Sequence, residues 1–509
     1  MLQENVVEVT EQKKQTHPLE TGLLRPVYNI VQRPRTFWLT LGVIALGVLL
    51  GLSLASPLSD LVLSIVGVLI HLFTIVVNPL NGLLLWVVSS PLGELYINIS
   101  LGESIPDLSP ARFCAAFLCT LLLAQTAIRK RDLAPITTTD MMGILFMMGL
   151  AFSIMNDISG WQRVAQDIFD RYYIPVLVYF LAKNLVTKQQ NLDKVLRAVL
   201  IFGVYAGLYA IYENQTGIIL FRKSETSFVM YADSGLHILR GLLDRSDHFG
   251  ALFSMVIPVN FYLYLEAPNR IRKFLYTITL GILLVAIYLT YKRTAWLALV
   301  VILLVIQWFY PQFRRLFFIL LLVALVVLGA TWNTVGQSVV VTDRIGSNSS
   351  TIEARTDGWK AAINLWARNP LFGYGLGNYG AVAKRAGVDD TALENEHLSI
   401  LFGAGLIGFV PYSAWLLSIL RDSIRLFRRK RHNGTARLEI DQNLIVIFWG
   451  VFLGYLINYS TTVANVFPVT VVFYLLTGAI VGSQARFLIP VRRRSIFDVT
   501  TQAATAFDA

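Results

Sequence analysis

The apolar residues of this 509-residue chain are gathered into long runs instead of being spread in amphipathic stripes. Runs such as 39–54, 274–288 and 317–330 approach or reach the length that crosses a bilayer. Each run therefore predicts a membrane-spanning helix. About fourteen spans are predicted, at 37–54, 59–77, 80–97, 109–127, 138–155, 171–187, 194–212, 248–266, 273–290, 294–310, 315–332, 398–420, 443–460 and 466–486.

Composition excludes a water-soluble protein. Hydrophobic residues make up 55% of the chain and charged residues 15%, with a mean hydropathy of +0.59. Pro91 and Glu94 interrupt the third run, and the turn between the last two runs is short, so the number of spans is about 12–14. The predicted fold is an all-α, polytopic transmembrane helix bundle. Cys114 and Cys119, the only cysteines, share one apolar run, which leaves no disulfide framework and no cysteine metal site.

The lysines and arginines predict the orientation. Most of them fall in alternate loops and in the two ends of the chain, as in proteins whose cytoplasmic loops are basic. The formal charge of +11 is therefore explained by basic cytoplasmic loops that face anionic lipid headgroups, and no nucleic-acid partner is expected. The predicted segments are a cytoplasmic tail (1–36), a first set of spans (37–332), an external loop with an in-plane amphipathic helix (333–397), the last spans (398–487) and a second cytoplasmic tail (488–509).

Two basic residues lie on the outer side, where the predicted orientation leaves fewer of them. Lys292 and Arg293 form the outer turn between two apolar runs. A cation at the interface is suited to bind a phosphate or pyrophosphate group, and it is equally suited to reach ordinary lipid phosphates. Both interpretations stay open on these residues alone.

The external loop carries further candidates. Ile352, Trp359, Ile363 and Trp366 predict one apolar helix face that lies in the membrane plane, either beside a site or as a lid that seals the bundle. The glycines of 373–377 follow a helix and not a strand, which favours tight turns over nucleotide binding.

Glu394 and His397 precede the span 398–420. If the helix already begins there, they share one face and could supply a general base, whereas capping of the helix would explain the acids without catalysis. The six histidines are scattered, so no metal site is predicted.

The order of these features resembles the O-antigen ligase and O-antigen polymerase superfamily. The residues that carry the resemblance are Lys292-Arg293-Thr294-Ala295-Trp296, then Arg355 with Trp359-Lys360-Ala361-Ala362, then 369–379, then Glu394-Asn395-Glu396-His397-Leu398 and 403–408.

The resemblance implies a metal-independent, inverting glycosyltransferase without a cofactor. Its donor would be a glycan on undecaprenyl pyrophosphate, its acceptor a lipid or a glycan, and its place the outer face of the plasma (inner) membrane. By analogy Arg293 and Arg355 would bind the pyrophosphate, with Lys292 beside them and Arg240 as a third arginine. Glu394 occupies the position of the family's histidine and His397 follows one turn later, so either could be the base.

A solute transporter is the alternative. A carrier is expected to hold ionisable residues near the middle of the membrane and broken helices in its two halves. The sequence shows neither pattern, apart from His71 in the span 59–77, so the transferase is the preferred hypothesis.

Overall fold

The computed structural model describes residues 59–96, 109–156, 161–220, 237–310, 318, 349–388, 393–428, 440–463 and 466–487. The predicted spans 37–54 and 315–332, both tails and the beginning of the external loop lie outside the described residues. The chain divides into two units, Met1–Gly67 and Val68–Ala509. In the first unit only the first turns of one helix are described, and the other described helices belong to the second unit.

The all-α prediction is confirmed, since the described residues are helices joined by loops, without an extended strand. The helices are α1 Ser59–Val77, α2 Pro79–Tyr96, α3 Pro110–Ala127, α4 Thr138–Ser153, α5 Trp161–Ile168, α6 Ile174–Leu185, α7 Gln189–Thr216, α8 Ser246–Leu265, α9 Arg270–Leu289, α10 Arg293–Phe309, α11 Ser349–Trp366, α12 Tyr379–Arg385, α13 Glu396–Arg428, α14 Gln442–Tyr459 and α15 Phe467–Phe487. By length and composition, 8 of the described helices can cross a membrane, and parts of α1 and α2 together with α10 are shorter apolar helices.

The predicted span 171–187 has a more complex form than one straight helix. The short helix α5 leads into a π-helical turn, Phe169–Tyr173, which continues as α6. Wider turns of this kind occur often near functional sites, because they turn side chains out of the regular helical register. Here Asp170 is paired with Arg112 of α3, and Tyr172 reaches the beginning of α13.

The centre of the bundle is built on α8 and α15. Of their most apolar windows, 89% and 100% of the residues are buried, whereas for α9 the share is 17%. Glycines permit this packing: a Cβ at Gly478 of α15 would lie 2.3 Å from the Tyr179 carbonyl oxygen of α6. Small residues allow helices in membranes to approach each other closely.

Helix α13 is broken in its first half. Gly405 has a φ of +60°, and the chain at 370–375 pairs with the break as a strand would. Tyr374 and Gly375 donate N–H groups to the carbonyls of Phe402 and Gly403, while Pro370 accepts from Leu406. Irregular backbone is tolerated at membrane depth only if its polar groups are bonded, and this pairing provides the bonds.

A buried polar cluster joins α4, α6 and α13 near the last turns of α13. We call Thr137, Asp140, Tyr179 and Lys183 the Asp140 cluster. Asp140 accepts from the Tyr179 hydroxyl at 2.7 Å and from the Thr137 backbone at 2.6 Å, and it is paired with Lys183. The two charged side chains are 1% and 2% exposed. Thr139 extends the contact to Asp422 of α13 at 2.6 Å.

Candidate active site

A second polar cluster lies at the other end of α13. Arg245, Asp247, Arg355, Glu394 and Thr462 come from four separate segments, and we call them the Arg355 cluster. Because Glu394 precedes α13 and Asp422 lies near its end, the Arg355 and Asp140 clusters mark opposite ends of that helix.

Glu394 is shared between two arginines. Its Oε2 accepts from Nη2 of Arg355 at 2.5 Å and its Oε1 from Nη2 of Arg245 at 3.2 Å. Arg245 also donates through Nε and Nη2 to the two oxygens of Asp247, at 3.1 and 2.9 Å. The Thr462 hydroxyl donates to Asp247. The Arg245, Arg355 and Glu394 side chains are 37%, 36% and 30% exposed, so water and ligands can reach the cluster.

Arg245 is held as a cation. Burial lowers its pKa, but the hydrogen bonds and charges of Asp247 and Glu394 outweigh burial and raise the pKa above its ordinary value. Asp247 lies in the first turn of α8, where the positive end of the helix dipole favours a carboxylate.

The end of α7 fixes the segment that leads to Arg245. Glu213 is fully buried, and its Oε1 accepts from the backbone N–H groups of Arg240 at 2.8 Å and Gly241 at 3.1 Å. Asn214 donates its side-chain N–H to the His237 carbonyl at 2.8 Å. Thus the backbone of Arg240 is anchored while its side chain is exposed.

Lys292 lies beside the Arg355 cluster. Its positive charge acts on Asp247, and a Cβ at Gly250 of α8 would lie 3.9 Å from the Lys292 Cβ. Arg293 begins α10 and is exposed. The following residue, Thr294, accepts from the Thr461 hydroxyl at 2.9 Å, next to Thr462 of the Arg355 cluster.

The two candidate bases lie in different surroundings. The condition under which they would share a helical face is not met, because α13 begins only at Glu396 and Glu394 precedes it. Glu394 contacts the arginines, whereas His397 bonds through Nδ1 with the Tyr412 hydroxyl at 3.0 Å and through Nε2 with the Leu456 carbonyl at 3.4 Å. His397 therefore contacts residues of α13 and α14, and Glu394 contacts the two arginines of the Arg355 cluster.

Helix α11 packs on the protein through one side. Trp359 and Trp366 are half-buried and pack against a small core that includes Leu365, Tyr379 and Phe402. Ile363, predicted on the same face, is 45% exposed on the protein surface, which a face turned toward the membrane allows. The buried stripe follows Ala362 and Leu365, toward α12 and α13. The orientation of α11 to the membrane stays a prediction.

The glycines of 373–377 form tight turns, as expected. Gly373, Gly375 and Gly377 have φ values of +69°, +85° and +87°, which favour glycine. The turn lies against the break in α13, and thereby links the end of α11 to α13. Among the described residues, no group of three or more His, Cys, Asp or Glu side chains is placed to hold a metal ion.

Arg245, Asp247 and Thr462 were missed in the sequence. Arg245 and Glu394 are 149 positions apart, and hydropathy carries no information on such pairings. The available signal was Asp244-Arg245-Ser246-Asp247-His248, a dense charged group directly before an apolar run on the predicted outer side.

Comparison with known proteins agrees with the resemblance noted in the sequence. Residues 278–413 match the model of a family described as O-Antigen ligase, a range that includes Lys292, Arg293, Arg355, Glu394 and His397. A protein of Haemophilus influenzae, described as uncharacterized, is 25% identical over 264 residues. That match covers 47% of this chain and 60% of the relative.

Proposed function

We propose, on the premise that residues 278–413 belong to the O-antigen ligase superfamily, that this membrane protein is a glycosyltransferase. It moves a glycan from an undecaprenyl-pyrophosphate carrier to a lipid or glycan acceptor at the outer face of the plasma membrane. The observation that carries the proposal is the convergence of Arg245 and Arg355, from separate segments, on one carboxylate that is about one-third exposed.

The chemistry is a single displacement. An acceptor hydroxyl oxygen attacks the anomeric carbon, and its proton passes to Glu394. The bond from that carbon to the diphosphate oxygen breaks, and the electron pair stays on the diphosphate. Attack from the face opposite the leaving group inverts the anomeric configuration.

The arginines stabilise the leaving group. Charge develops on the diphosphate as the bond breaks, and guanidinium groups suit it because they donate two parallel hydrogen bonds to a phosphate. Preorganised donors of this kind contribute about 2.7–4 kcal/mol each to transition states in other enzymes. Arg355, Arg245 and Lys292 have this role, with Arg293 and Arg240 as further ligands of the donor. No metal ion is needed for this displacement.

Glu394 is the preferred base because it contacts the arginines that would bind the leaving group. His397 remains the second candidate, since its sequence position is one turn from the family's histidine.

Two observations are compatible with a transporter. The Asp140 cluster is a buried ion pair, and α13 is broken, as helices of carriers often are. However, the break is bonded by the backbone of 370–375 and does not offer bare carbonyls to an ion.

The test is release of free carrier by the purified protein in lipid vesicles. With undecaprenyl-pyrophosphate-linked glycan and acceptor present, we expect undecaprenyl pyrophosphate to appear in amounts equal to the transferred glycan, with EDTA making no difference. Uptake of glycan into the vesicles without carrier release would favour the transporter.

The orientation has its own test. In a background with Cys114 and Cys119 replaced by alanine, Lys384→Cys and Arg425→Cys are matched exposed positions on opposite sides of the predicted membrane. An impermeant thiol reagent should label intact cells at Lys384→Cys only. Labelling at Arg425→Cys only would reverse the orientation.

A further inference from the structure

Glu394, the proposed base, already uses both of its carboxylate oxygens as hydrogen-bond acceptors. Each oxygen already accepts a hydrogen bond from an arginine, at 2.5 and 3.2 Å. Glu394 is therefore committed to the two arginines in this arrangement, and its release from them would make both oxygens available to an acceptor hydroxyl.

The charges of the site indicate what could replace the carboxylate. Arg245, Arg355 and Lys292 are opposed by Glu394 and Asp247, which leaves a surplus of one positive charge. Without Glu394 the surplus of these groups is two, enough to balance a diphosphate diester with one negative charge on each phosphate, and Arg240 and Arg293 would add to it. Water partly screens the Glu394 ion pairs, whose side chains are about one-third exposed, and charge-assisted bidentate bonds to phosphate are strong, which favours the exchange.

We propose that Glu394 is an internal stand-in for the diphosphate, and that the donor's diphosphate displaces it from Arg245 and Arg355. This inference rests on the proposed function. Displacement gives the arginines a new counter-ion and leaves Glu394 free to accept the acceptor's proton. The donor must then bind before the base can act, so an acceptor or water is not activated at a site without donor.

The proposal predicts opposite effects of one substitution on binding and on rate. Glu394→Gln keeps the size of the side chain but removes the competing charge. We expect inorganic diphosphate to bind Glu394→Gln about three- to tenfold more tightly than it binds the wild type, because up to two exposed ion pairs no longer compete. Arg245→Ala and Arg355→Ala should each bind diphosphate more weakly.

The experiment is calorimetric titration of the purified full-length protein with inorganic diphosphate, after each variant is shown to be folded by its thermal midpoint. Asp357→Asn is the matched control: it removes one carboxylate from the same helix as Arg355, and Asp357 is paired with the exposed Lys360. Its affinity for diphosphate should equal that of the wild type, which separates competition at the site from a general change in net charge.

A double variant makes the test specific. In an Arg355→Ala background the gain from Glu394→Gln should shrink, because one of the two competing pairs is already absent. Equal or weaker diphosphate binding by Glu394→Gln, or an undiminished gain in the double variant, would overturn the proposal. Because binding is measured without turnover, a failure of carrier release would count against the transferase and not against the displacement.

Discussion

The two polar clusters at the ends of α13 contain similar groups in opposite settings. In the Asp140 cluster one carboxylate meets one ammonium, and two neighbouring hydroxyl groups add further donors. Both charges are sealed from the surface. In the Arg355 cluster one carboxylate is divided between two arginines, and each of these side chains is about one-third exposed.

This difference separates a structural ion pair from a binding site. A sealed pair whose opposite charges are in direct contact leaves no space for a ligand. An open cluster with surplus positive charge can exchange its own carboxylate for an anion. The presence of charged side chains does not distinguish a structural ion pair from a binding site. The exposure of those side chains and the ratio of positive to negative charges do distinguish them.

Removal of Lys183 should give the largest effect. Lys183→Ala leaves Asp140 charged and buried without its partner, which costs about 3–5 kcal/mol in comparable proteins. We expect a strongly lowered thermal midpoint in detergent, or no folded protein. Lys360→Ala removes a lysine from an exposed pair and should change the midpoint little. Equal midpoints for the two variants would remove the distinction between the clusters.

The reverse pattern is expected for Arg355→Lys. Its exposed pair contributes little to stability, so the thermal midpoint should stay near that of the wild type. A lysine keeps the charge but lacks the planar fork, and the rate of carrier release should fall on the order of a hundredfold, or about 2–4 kcal/mol in the barrier. Arg293→Lys, at the same predicted face, tests the arginine that the resemblance suggested. Near wild-type transfer by both variants would contradict the role of the arginines.

Gly405→Ala tests whether the break in α13 positions the Arg355 cluster. An added Cβ would lie 2.3 Å from the Leu371 carbonyl oxygen at a φ unsuited to alanine, and we expect a loss of about 1–3 kcal/mol. Transfer should fall while the Asp140 cluster is unaffected. Gly281→Ala on α9 is the control, because a Cβ there meets nothing within 4 Å. If both variants behave alike in thermal midpoint and transfer, the pairing of 370–375 with α13 has no positioning role.

The smallest effect is expected at His397. Its ring bonds to Tyr412 and Leu456 within the helices, so His397→Gln should cost about 1 kcal/mol of stability and change the rate of transfer less than tenfold. Comparison of its rate with that of Glu394→Gln decides between the two candidate bases. A larger loss at His397 would assign the base to histidine.

The sequence predicted the helices well where the apolar run alone determines them. The run at 248–266 appears as α8 at Ser246–Leu265, and the run at 443–460 as α14 at Gln442–Tyr459. Segments with special backbone geometry were not predicted. The break at Gly405 depends on hydrogen bonds from a turn some thirty residues earlier, and the π-helical turn before α6 has no signal in hydropathy.

The candidate site was predicted in part for the same reason. Arg355 and Glu394 were identified through motif order, and the structure joins them. Arg245 was not identified, because its contact with Glu394 forms only when the segments that precede α8 and α13 meet in the folded chain. The packing of α11 on the protein was not predicted, because the burial of Ala362 and Leu365 depends on contacts with α12 and α13 that form only in the folded chain.

If the Arg355 cluster is the site of transfer and Glu394 is its base, the carboxylate must be indispensable for turnover. The decisive measurement is the rate of undecaprenyl-pyrophosphate release by Glu394→Gln in vesicles with saturating donor and acceptor, in protein with a wild-type thermal midpoint. We expect a rate at least about a hundredfold lower than that of the wild type. Release at a rate near that of the wild type would contradict the assignment of Glu394 and of the cluster around it.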